Sequence, residues 1–294
     1  MNFHFGEASK ILLKTMPYLL IRSAVYAALG LAAALYIGIV ILVGKLFGSG
    51  GAVVFVIGIA VLIGLMRLAK QYVLYLVDAG HIAVITEIIR AGSLPEGVSQ
   101  YRYGREAVTR MFKEVSVLFV VDRMVDGTIR AINGLVVEIT DFLPIPGIES
   151  LTKVVNSVIS FSLTYIDETI LSYNLSRKDA NIWESARRGV VLYAQNWRPV
   201  LTTAAASVVA NAVAFVLVFL VLLIPFALLA MATHNETLRL FWFALAFTLA
   251  YGFKLAVFKP FFQTSMILAF NHAIRGQEPD PEWENRLEAA SEKF

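Results

Sequence analysis

Residues 199–233 contain no Asp, Glu, Lys or Arg, and only uncharged polar residues and Pro225 interrupt their apolar run. A helix needs about 20 apolar residues to cross the ~30 Å hydrocarbon core of a bilayer, so this segment by itself exceeds a span. Segments 23–44, 46–66 and 240–258 have the same character. The expected fold is an all-α integral membrane protein with four transmembrane helices in two hairpins. Composition agrees: the chain is 58% hydrophobic with mean hydropathy +0.69, and 16% of its residues are charged, below the roughly 25% of soluble domains.

The same composition removes several function classes. A formal net charge of +3 with no Lys/Arg run of five or more gives nucleic acid nothing to bind. The chain has no cysteine, which excludes disulfides, thiolate metal sites and cysteine nucleophiles. No pair of the four histidines has metal-binding spacing, and no nucleophile elbow, P-loop or dinucleotide fingerprint occurs. An enzyme is therefore not expected, nor is a cofactor.

The chain divides into residues 1–92, 93–180 and 181–294. In the first part, residues 1–14 carry Glu7, Lys10 and Lys14 on an amphipathic pattern without a cleavage site, which reads as an interfacial helix and not a signal peptide. The glycine-rich turn at 47–51 closes the first hairpin. The helical pattern of the second span continues past the membrane edge to Gly92 and Pro95, giving a helix over 52–91 of about 60 Å. Its projecting part needs partners to bury Tyr72, Leu76, Val84 and Ile88, so a symmetric homo-oligomer is expected. Asp78 and His81 share one face near the membrane exit, where such a pair serves either a proton relay or simple inter-helix packing.

The third part repeats this layout, with an amphipathic segment at 183–197 and a fourth span that runs on to Arg275. Ile89-Arg90-Ala91-Gly92 with Pro95 parallels Ile274-Arg275-Gly276 with Pro279. Two explanations stand, a parallel internal repeat or the shared basic entries of all such hairpins. Lys10, Lys14, Arg22, Arg67, Lys70, Arg177, Lys178, Arg187, Arg188, Arg198, Lys254, Lys259 and Arg275 fall on one side, against Lys45 and Arg239 on the other. The positive-inside rule then places both termini in the cytoplasm of a cell (inner) membrane protein.

The central part, 93–180, is amphipathic and contains the apolar turn Phe142-Leu143-Pro144-Ile145-Pro146-Gly147. That turn is either the tip of a re-entrant hairpin or the buried corner of a cytoplasmic bundle. The layout, two hairpins around apolar amphipathic helices with the Pro146-Gly147 turn, loosely resembles that of the bacterial CysZ-type sulfate permeases. No site residue is carried over from the resemblance.

On the helix after this turn, Asn156, Ser160, Thr164, Asp167 and Glu168 form a polar stripe opposite Val154, Val158, Ile166 and Ile170. Hydroxyls and amides ending in two acids can replace a solute's hydration shell and bias a pathway toward cations. The same stripe also suits a helix whose polar face meets water. Lys254, deep in the fourth span, reads as an anion-binding charge or as a snorkelling side chain. Two functions follow: a channel or transporter for a small ion or solute, or a non-transporting scaffold whose cytoplasmic helices bind a partner protein or organise lipid. The direction of the stripe, toward a passage or toward solvent, separates them.

Overall fold

The computed structural model describes residues 3–113, 158, 162, 165–177 and 181–290, and among these it is all-helical, with no strand. Among the described residues four helices are long and apolar enough to cross a membrane: Met16–Leu46, Gly48–Ala91, Trp197–Ala232 and Leu238–Ala273. Most of the central region, including the Pro146-Gly147 turn, lies outside the described residues.

Helix α1, Phe5–Lys14, ends at Thr15, whose N–H reaches back to Ile11 O and Leu12 O. The chain turns there into α2, Met16–Leu46, with Pro17 in the first turn, where no N–H is required. A 3-10 turn, Gly48–Gly50, leads to α3, Gly51–Ala69. The two helices touch so closely that a Cβ on Gly51 would lie 2.4 Å from Gly44 O, and one on Gly58 2.5 Å from Val40 Cγ1. Only glycine permits that contact. As the periodicity predicts, the helix then continues, but through a π turn, Lys70–Leu74, before α4, Tyr75–Ala91. Gly92, in the left-handed region at φ 80°, ends it.

Helix α5, Gln100–Lys113, packs on α4, and α6, Ile166–Arg177, packs on α4 from another side. Helix α7, Ile182–Gln195, starts as its capping-box spacing predicts: Asn181 Oδ1 accepts from Glu184 N at 3.2 Å. After a break at Asn196 come α8, Trp197–Ala232, and α9, Glu236–Phe253, the latter capped by Asn235 Oδ1 on Leu238 N at 3.1 Å. A second π turn, Lys254–Phe258, leads to α10, Lys259–Ala273, and then to α11, Pro281–Ala290.

Burial divides the molecule along its length. Over the spans the large apolar side chains point outward, as in Leu31, Leu35, Val56, Val221, Ile224 and Leu240. Beyond them, Ile82, Ile85, Ile166, Ile170, Val190, Val191, Met266 and Phe270 form a closed core. A lipid-facing band followed by a bundle packed like a soluble domain accounts for this reversal. It also corrects one expectation: Val84 and Ile88 are buried within the chain itself and need no partner, while Tyr72 and Leu76 remain exposed.

Candidate functional site

The junction between the outward-facing band and the core holds charges of alternating sign. Arg22, two turns into α2, is fully buried. Its Nη1 lies 3.0 Å from Asp78 Oδ1 on α4. The other Asp78 oxygen, Oδ2, accepts from Lys259 Nζ on α10 at 2.5 Å, and Lys259 Nζ lies 3.8 Å from Glu168 Oε1 on α6. Residues from four helices thus form one chain, Arg22–Asp78–Lys259–Glu168. Counted along the helices from the far turns, Arg22, Asp78 and Lys259 stand about 36, 40 and 32 Å away, just past the ~30 Å a hydrocarbon core occupies.

Backbone geometry explains how Arg22 is held. In the second π turn Lys259 N–H bonds to Lys254 O, one residue further back than in an α-helix. The next residue, Pro260, has no N–H to offer. Leu255 O is thereby left for a side chain, and Arg22 Nη2 donates to it at 3.5 Å. Tyr26 adds its ring face, 5.6 Å from the guanidinium.

One layer away, His81 Nε2 pairs with Thr15 Oγ1 at 3.0 Å, and its ring stacks on Tyr18 at 5.1 Å with 7° between planes. Asp78 and His81 therefore do not pair with each other; they serve different partners. Gln100 ties α5 to the same joint, accepting from Tyr18 N at 3.1 Å and donating to Lys14 O at 2.7 Å.

The network is closed at Arg22 and more open at its other end, where the Lys259 and Glu168 side chains are 27% and 16% exposed. Burial lifts the Glu168 carboxyl to about 7 against the pull of Lys259, with Asp167 and Asp78 adding to the rise. Nearby Tyr165 is also pushed up, first by burial and then by Glu168. Both amide atoms of Gln263, one turn beyond Lys259 and fully buried, and Arg22 Nε have no hydrogen-bond partner among the described residues.

Of the residues expected from sequence, Asp167 and Glu168 lie at the start of α6, both partly buried, and Glu168 is the one turned toward this network. Asn156, Ser160 and Thr164 lie outside the described residues. Lys254 stands apart from the chain of charges, its ammonium 5.5 Å from the Phe215 ring centre and 5.9 Å from that of Tyr251. Sequence reasoning counted Arg22 and Lys259 only as markers of orientation. The available signal was their depth: two cations and Asp78 fall at nearly one height on three different spans. Compared with protein-family models, curated proteins and solved structures, the chain matches none.

Proposed function

We propose that the protein is a channel or transporter for a small ion or solute, and that the Arg22–Asp78–Lys259–Glu168 chain is its polar gate at the cytoplasmic end. The observation that carries this reading is the direction of Glu168. At the acidic end of the polar stripe Glu168 turns inward onto Lys259, 3.8 Å away, with most of its side chain buried. Buried orphan amide atoms on Gln263 point the same way, since an unpaired buried polar group is costly unless water or a solute binds it.

The finer architecture belongs to the same proposal. The two span pairs are hairpins related by a parallel internal repeat. Thr15 and Asn196 break the chain with nearly the same backbone angles, φ/ψ −95/14° and −105/26°. The π turns Lys70–Leu74 and Lys254–Phe258 precede Gly92 and Gly276, both at positive φ, by the same spacing. Copies of the chain assemble side by side, with the exposed Tyr72 and Leu76 in the contact. Mass photometry in mild detergent reads that assembly, and a monodisperse monomer removes it.

Flux into proteoliposomes tests the function. Several inorganic ions and small neutral solutes are compared for wild type, Asp167→Asn/Glu168→Gln and, separately, Lys254→Ala. Loss of flux in the acid-neutralised variant, with Lys254→Ala close to wild type, is the expected result. Absence of flux for every species in well-oriented vesicles replaces this reading with the scaffold.

A further inference from the structure

A second cluster of titratable side chains lies where the N-terminal helix meets the end of α10, and the charge network does not use it. His4 precedes α1, Glu7 lies in its first turn, and His272 lies in the last turn of α10. One ligand atom from each, an imidazole nitrogen or a carboxylate oxygen, falls within 4.8 Å of the others. No local spacing in the sequence shows this, because the third member is supplied by the far end of the chain.

We propose that His4, Glu7 and His272 bind a divalent transition-metal ion, with zinc as the ion that fits, and that the metal clamps α1 onto α10. Two imidazoles and one carboxylate make a three-ligand zinc set with a fourth position for water. Nitrogen donors also set the site apart from those for calcium or magnesium, which take oxygen ligands.

The geometry is already part-way to coordination. His4 Nδ1 and Glu7 Oε2 are 3.5 Å apart, close to the ~3.3 Å between two ligands of a tetrahedral zinc with ~2.0 Å bonds. The His272 ring lies against His4, with centroids 4.4 Å apart. His272 Nδ1 is 2.8 Å from Leu268 O. A carbonyl only accepts, so Nδ1 carries the proton and Nε2 keeps its lone pair for a metal. That backbone bond is the outer-shell support that orients a ligating histidine. His4 is held at φ 56°, a left-handed conformation unusual outside glycine, which sets its ring at the helix start.

Zinc titration of the untagged full chain in detergent tests the site, by calorimetry and by competition with a fluorescent chelator. One Zn²⁺ per chain is expected. His272→Ala and Glu7→Gln should each weaken binding at least about tenfold, while His234→Ala, in the turn between α8 and α9, should leave it unchanged. Glu7 is exposed, so Glu7→Gln keeps the fold if the His272 variant does not. Zinc should raise the melting temperature of wild type and not of Glu7→Gln. Absence of saturable binding, or binding that both substitutions leave intact, overturns the proposal.

Discussion

Replacing Asp78 with Asn tests whether the charge network is the joint of the fold. Among the described residues Asp78 is the one acid paired with Arg22, and it holds Lys259 with its second oxygen. Its loss leaves a fully buried guanidinium with Leu255 O at 3.5 Å, and leaves Lys259 with Glu168 at 3.8 Å. Breaking a buried pair by removing one partner costs about 3–5 kcal/mol, because the remaining charge stays desolvated. At roughly 2–4 °C per kcal/mol for a larger domain, the melting temperature should fall by about 6–20 °C. The assay is intrinsic-fluorescence melting in detergent, run as a double-mutant cycle with Arg22→Met. The double variant should recover much of the loss, since an apolar replacement of a buried pair is often close to neutral. An Asp78→Asn loss below about 1 kcal/mol, the worth of an exposed pair, would refute the reasoning. So would additivity in the cycle.

Gly51→Ala places a methyl 2.4 Å from Gly44 O and should cost about 1–3 kcal/mol by prising α2 from α3, read as a lower melting temperature. Asn181→Ala removes the cap of α7 and should cost about 1 kcal/mol, measured by the same melt. Glu168 sets a pH dependence. Its carboxyl, facing Lys259, Asp78, Asp167 and Tyr165, rises from 4.5 to about 7 in the fold, so the folded chain keeps a proton that the unfolded chain releases. Stability from this group therefore falls as pH rises from about 4.5 to about 7, and the difference in melting temperature between wild type and Glu168→Gln should follow that fall. A pH-independent difference would contradict the placement of Glu168.

The long elements were legible because their signals are local. The uncharged run at 199–233 became Trp197–Ala232, and the helix expected over 52–91 is there without a break. The Asn181/Glu184 cap was legible for the same reason, two residues three apart whose chemistry closes a helix start. Periodicity could not show the π turns, since a single added residue barely disturbs an apolar pattern that is hydrophobic on every face. Hydropathy also misjudged Val84 and Ile88, which read as oligomer contacts, because α5 and α6 of the same chain pack on α4. The charge network escaped because Arg22, Asp78, Glu168 and Lys259 come from separate elements, and each alone reads as a marker of the membrane edge.

Each π turn lies just before one of the charges along its helix, Asp78 after the first and Lys259 after the second. An added residue turns the helix by about 100°, a 3.6th of a full circle. Before Lys70–Leu74, Ile63, Leu65 and Leu68 face outward; after it, residues 78–88 are buried. Leu249, Tyr251 and Phe253 stand in the same relation to residues 262–270 across Lys254–Phe258. Each helix thus runs from a stretch with outward apolar side chains into one that is buried on every side. The π turn before Pro260 leaves Leu255 O open, and Arg22 donates to it at that level. A charge here avoids the full penalty of the bilayer centre, yet sits in a medium that strengthens its pairing well beyond that in water. Arg22 belongs to the first span pair and Lys259 to the second, and Asp78 binds both. Any change in the charge on Asp78 or Glu168 therefore acts directly on the joint between the two pairs, which gives the proposed gate its mechanical link to the spans.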